Sequence, residues 1–108
     1  MNIIGYDPNA FKPIKENPII LDFSEIQTGY ELHKQLKEKF GLPDYYGENW
    51  DALWDCLRYL WWDGENIHVK IYAFSELNEE WREYCEAMIK IFERVHKQTP
   101  NFTYEVIS

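Results

Sequence analysis

Two aspartates set four residues apart, Asp51 and Asp55, are the side chains in this chain with the clearest capacity for chemistry. They stand inside the stretch YYGENWDALWDCL, with Glu48 just upstream and Tyr45, Tyr46, Trp50 and Trp54 around them. Paired carboxylates can cleave glycosidic bonds, but that work needs acids across a cleft and a raised pKa on one of them. Two neighbours on one exposed helix face do not supply it. Acids so close can also hold a hard cation, yet the calcium-loop pattern is missing. His33, His68 and His96 are scattered singly and are expected at the surface or its boundary, not as ligands or bases. No serine or cysteine stands in a nucleophile motif. What remains for adjacent anions beside aromatic rings is recognition of a basic partner. Neither an enzyme, nor a metal centre, nor a cofactor site is expected.

Composition points the same way. The chain has 19 acidic against 11 basic residues, a formal net charge of −8. Such a surface repels nucleic acid and anionic lipid, and it speeds encounter with basic proteins. With 108 residues, 45% of them hydrophobic, the chain suits one packed domain and not two. Cys56 and Cys85 fall within apolar helical patterns, as buried free thiols do, and form no metal spacing or disulfide framework. The first twenty residues are broken by Asp7, Pro8, Lys12, Pro13, Lys15, Glu16 and Pro18, so no signal peptide is read there. No run approaches a membrane span. The cytoplasm is the expected compartment.

The elements that must hold the acids follow from punctuation and periodicity. Residues 1 to 18 contain three of the five prolines and read as an irregular arm or edge element. The run from Ile19 to Phe23 reads as a buried strand. Thr28 and Glu31 form a capping box, Leu32, Leu36 and Phe40 repeat every four residues, and GLP at 41 to 43 stops that helix. A second helix starts at the cap residue Asn49 and runs to about Leu60. Alternation of Ile67, Val69 and Ile71 predicts a strand. A helical pattern runs from Ser75 to about Gln98, as one helix or two, with Trp81, Cys85, Met88, Phe92 and Val95 as its apolar stripe. FTYEVIS closes the chain as a strand. This order suits a small parallel sheet with helical crossovers.

At about 100° per residue, Leu53, Cys56, Leu57 and Leu60 share one arc of the second helix and must face the core. Asp51 and Asp55 share the opposite arc, with Arg58 on it and Trp54 at its margin. Both carboxylates point to solvent near the positive end of the helix dipole. Like charges at this spacing disfavour an isolated helix by a few tenths of a kcal/mol. An exposed aromatic beside them adds a solubility liability, so the arrangement gains only when a partner covers it. Gly47 permits a turn that sets a tyrosine ring beside the acids.

The stretch LPDYYGENWDALWDCL, Leu42 to Leu57, resembles the signature of the barstar family, intracellular inhibitors of barnase-like guanyl-specific ribonucleases. A weaker resemblance extends from Ile19 to the C-terminus. It implies an α/β fold, a small three-stranded parallel sheet with packed helices, with residues 1–18 as an N-terminal extension and 19–108 as the barstar-like domain. It implies an inhibitor that plugs the active site of a basic ribonuclease in a 1:1 complex, with helix aspartates mimicking RNA phosphate. By position Asp55 takes the phosphate's place and Asp51 is the second acidic contact. Tyr45, Tyr46, Gly47, Asn49 and Trp54 match the positions that pack on the enzyme. The free protein is then a monomer that binds no nucleic acid and no membrane.

Two departures from the family pattern stand out. Where the type member carries a further acidic contact on its last helix, ungapped alignment from Phe74 places Arg94, with Glu93 beside it. The stretch RYLWWDGEN holds a small insertion, so the tryptophan that relatives present there is Trp61 or Trp62. Trp50 also replaces an aliphatic residue. These differences leave a second reading open, a barstar-fold immunity or binding protein for a different basic toxin or regulatory partner.

Overall fold

Alternation along the strands sets the architecture. In β1 (Ile19–Asp22) Ile19 and Leu21 are buried, and in β2 (Ile67–Tyr72) Ile67, Val69 and Ile71 are buried while the residues between them are only partly covered. A computed structural model of the chain, which describes residues 11–58 and 65–107, pairs these strands in parallel with β3 (Phe102–Ile107) in the order β1-β2-β3. Ile19 lies opposite Val69 and Leu21 opposite Ile71, while Ile67 lies opposite Phe102. The register therefore gathers the apolar side chains on one face, as the period of two demands. The fold class expected from the sequence is the one found.

Helices fill the crossovers that parallel strands require. Helix α1 (Gly29–Phe40) begins at Thr28, whose hydroxyl accepts from the Glu31 amide at 3.1 Å. The Glu31 carboxylate returns to the Gln27 amide at 3.1 Å and the Thr28 hydroxyl at 3.3 Å. A cap of this kind stabilises a helix by about 1 kcal/mol. Leu32, Leu36 and Phe40 are fully buried, and Phe40 meets Phe92 and Phe102 with ring centroids 5.9 and 6.4 Å away.

Helix α2 (Trp50–Leu57) follows. Its last residue is three short of the expected Leu60, which lies outside the described residues together with Trp61 and Trp62. The helical pattern from Ser75 resolves into a single 3-10 turn, Phe74–Glu76, and then α3 (Glu79–Gln98). The break falls where Leu77 turns extended and the Asn78 side chain accepts from the Trp81 amide at 2.9 Å, which restarts the helix. Strand β1 ends one residue before the expected Phe23, because the Asp22 carboxylate accepts from both the amide and the hydroxyl of Ser24 and turns the chain.

Gly41 shows how tightly the segment before α2 is tied down. It ends α1 in the left-handed region at φ +62°, while the Leu42 amide donates to Lys37 O at 2.9 Å. The N-terminal arm lies directly against it: Lys12 N–H donates to Gly41 O at 2.8 Å, and Lys12 Nζ reaches Asp44 at 2.9 Å. Phe11 and Ile14 pack on the core, and Glu16 accepts from the Ile20 amide and pairs with Lys39. A Cβ on residue 41 would stand 2.0 Å from Lys12 O. Gly41→Ala is expected to cost about 1–2 kcal/mol for the left-handed backbone alone, and more for displacing the arm. Urea unfolding of the two proteins measures it; a loss no greater than about 1–2 kcal/mol would show that the arm yields freely, and no loss at all would overturn the backbone cost as well.

Candidate functional site

Asn49 starts α2 from an extended backbone, and its side-chain oxygen accepts from the Ala52 amide at 2.8 Å. Its Nδ2 donates back to Gly47 O at 3.2 Å. Both ends of this side chain are thus used locally, binding the loop to the helix. The left-handed residue of the turn is Glu48, at φ +54°, and not the glycine to which the sequence reading assigned the turn. Gly47 matters for its size: a Cβ there would lie 3.3 Å from Asn49 Nδ2 and 3.4 Å from Ala52 Cβ.

From this start the helix distributes its faces as the wheel requires. Leu53, Cys56 and Leu57 are buried, and Asp51 and Asp55 are exposed on the other side. The Asp55 side chain is 66% exposed, and Arg58 Nη2 stands 3.8 Å from it, one turn on. An exposed pair of this length contributes about 0–1 kcal/mol, so a better-placed cation can displace it. Tyr45 is 46% exposed beside the helix start. Trp54 is half-buried, and the guanidinium of Arg94 from α3 lies over its ring, 4.0 Å from the centroid.

Two residues stand elsewhere than the sequence reading placed them. Tyr46, expected at the contact surface, is 5% exposed and belongs to the core. His33, expected at the surface or its boundary, is 2% exposed. They are joined, with the Tyr46 hydroxyl 2.6 Å from His33 Nδ1. The other ring nitrogen, Nε2, is 2.9 Å from the Tyr84 hydroxyl. A neutral imidazole has one donor and one acceptor, so one tyrosine donates to it and the other accepts. The Trp50 ring closes over the group, with its centroid 4.7 Å from His33 and 5.0 Å from Tyr84, and Trp81 stacks on Tyr84. This cluster joins α1, the loop before α2, the first residue of α2 and the first turns of α3. Tyr46 supports the face from beneath.

The only signal for His33 in the sequence is its place next to Leu32 on a helix whose buried residues recur at four. Its partners lie 13 and 51 positions away, beyond the reach of any local pattern.

Burial shifts the titration of these groups. The His33 imidazole is pushed below its ordinary value by desolvation, with the Glu48 carboxylate opposing. Burial drives the Tyr46 phenol far up, and it raises the Cys56 thiol to about 11, with Asp55 adding to the effect. Cys56 and Cys85 are free and buried, as the apolar patterns around them predict. Among the described residues no group of three or more His, Cys, Asp or Glu side chains is placed to hold a metal ion. No helix there is long and apolar enough to cross a membrane.

A histidine held neutral by the fold protonates more readily in the unfolded chain. Stability is therefore full above the free-histidine value of about 6.5 and declines as pH falls below it, until the depressed folded value is passed. Glu16, Asp22 and Asp44 are also held below their ordinary values, so their stabilisation is lost at more acid pH, below about 4. Urea unfolding should thus show lower stability at pH 5.5 than at 7.5, and His33→Gln should flatten that difference. An equal slope in both proteins would remove His33 from the account. Tyr46→Phe should cost about 1–3 kcal/mol by leaving a buried ring nitrogen unpaired.

The family model described as "Barstar (barnase inhibitor)" matches residues 17–106. The chain is also similar to a Bacillus subtilis (strain 168) protein named "Putative ribonuclease inhibitor YrdF", 31% identical over 80 residues that cover 74% of this chain and 86% of that protein. The match spans β1, β2, all but the last residue of β3, the capped α2 with its outward acids and the helices packed behind it, and on that ground this chain belongs to the barstar family.

Proposed function

We propose that the chain inhibits a basic ribonuclease by docking α2 and the loop before it into the enzyme's active site. Asp55 takes the place of a substrate phosphate, and Asp51 is the second anion on the same face. Tyr45, Gly47 and Trp54 supply the packing surface around them, while Asn49 and Tyr46 hold that surface in shape. The observation that carries this reading is the exposure of both carboxylates on a helix whose opposite face is fixed in the core. A carboxylate is a compact planar anion that a guanidinium can grip through two hydrogen bonds, as it grips phosphate. Membership of the family and the name of the Bacillus relative support a ribonuclease as the target. The complex is 1:1, the free protein is a monomer, and its place is the cytoplasm. Residues 1–18 are an extension of the domain at 19–108.

A second reading has one specific observation behind it. The Arg94 guanidinium lies against Trp54, so a cation stands on the margin of the acidic face. A barstar-fold protein directed at a different basic toxin or a regulatory protein would tolerate that cation. Capture of a single basic protein without RNA-cleaving activity selects this reading.

Calorimetric titration against a panel of guanyl-specific ribonucleases, with RNA cleavage followed in parallel, tests the first. Asp55→Ala is expected to weaken binding about thirtyfold or more, on the order of 2 kcal/mol, while Glu25→Ala has little effect. The barnase–barstar pair is itself one of the complexes behind that general magnitude, so the figure is not independent of the family. Equal effects of the two substitutions would remove Asp55 from the contact. Association should also slow as salt rises, because the Debye length shrinks from about 30 Å at 0.01 M to about 10 Å at 0.1 M.

A further inference from the structure

The face carried by α2 is not uniformly acidic. On its wheel Trp54 lies about 60° to one side of Asp51, and Asp55 about 40° to the other. Arg94, exposed on α3, covers the Trp54 ring, and Arg58 stands between Trp54 and Asp51 in angle. The surface therefore passes from cation to anion within a single helix width.

Arg94 has no carboxylate within ion-pair reach among the described residues. Its neighbour Glu93 accepts from the Tyr104 hydroxyl at 2.8 Å and stands 4.0 Å from Lys97. The cation–π contact leaves N–H donors of the guanidinium that a planar acceptor can use. It also limits the motion of a long side chain, which lowers the entropy lost when a partner binds. A cation with no carboxylate partner among the described residues, at the margin of two anions, is a poor match for a uniformly basic surface, since like charges brought together oppose binding.

Resting on the docking reading above, we propose that Arg94 on Trp54 is a second contact of opposite sign. The ribonuclease that this chain inhibits carries an acidic side chain next to its phosphate-binding cations, placed to meet Arg94. Asp51 and Asp55 provide the attraction common to basic active sites, and Arg94 selects among them. An enzyme with a lysine or arginine at the matching place is rejected, and one with an aspartate or glutamate there is held in a single orientation.

The sign of one substitution tests this. Arg94→Glu and Lys15→Glu, the latter on the N-terminal arm, make the chain more acidic by the same amount. Long-range steering alone would tighten binding to a basic enzyme in both. Full-length wild type, Arg94→Glu, Arg94→Lys, Lys15→Glu and Asp55→Ala are titrated against the panel of guanyl-specific ribonucleases, with dissociation followed by stopped flow and thermal melts checking the fold. For the enzyme bound most tightly, Arg94→Glu is expected to weaken binding about tenfold or more through faster dissociation. Arg94→Lys should retain most of the affinity, and Lys15→Glu should leave it unchanged or tighter. If Arg94→Glu does not fold, Arg94→Gln takes its place, with a smaller loss expected. Arg94 variants that bind as well as wild type while Asp55→Ala still fails would overturn the acidic complement and leave the docking reading intact. Full binding by Asp55→Ala, or no binding to any enzyme of the panel, overturns the docking reading and this inference with it.

Discussion

A single buried imidazole joins three segments that are far apart in the chain. His33 stands between the hydroxyls of Tyr46 and Tyr84, so α1, the loop before α2 and the start of α3 share one hydrogen-bonded group. Burying a polar ring without partners costs on the order of 1–3 kcal/mol. Here both nitrogens are matched, and the group becomes a constraint on geometry instead of a liability. Tyr45, Gly47 and Glu48 face water, so the Tyr46 anchor holds the loop from within while the Asn49 side chain and the Lys12 strap hold it at its two ends. With Tyr46 locked inward, the neighbouring Tyr45 is directed outward, and the Asn49 cap fixes where α2 begins.

The outward acids depend on this support. Two carboxylates four apart repel each other weakly, and an eight-residue helix has little intrinsic stability in water. The helix persists because Leu53, Cys56 and Leu57 are packed and its first residue, Trp50, lies against His33 and Tyr84. The apolar face thus stabilises a polar face that the isolated segment could not maintain. Rigid presentation matters for recognition, because groups already in place lose less freedom when a partner arrives.

Most of this architecture was legible in the sequence because it rests on local chemistry. Thr28 with Glu31, Gly41, Asn49 and the alternation of Ile67, Val69 and Ile71 each announce an element boundary or a face without knowledge of the rest of the fold. What was not legible depends on encounters across the chain. Tyr45 and Tyr46 are identical in type and adjacent, and only a histidine thirteen positions upstream decides which one is inside. The break at Leu77 and Asn78 falls within a helical pattern that periodicity alone left open as one helix or two. Arg94 could be aligned by position, but its contact with Trp54 is a property of how α2 and α3 pack.

The contact between Lys12 and Gly41 reaches beyond the stability of one turn. The span shared with the family begins at residue 17, whereas the strap across the base of the loop is made by residues before it. A chain trimmed to the shared span would keep every side chain of the acidic face and lose its brace on Gly41 and Asp44. The shape of the acidic face is therefore not a portable property of the span from 17 to 106. It rests in part on a few residues that lie before that span.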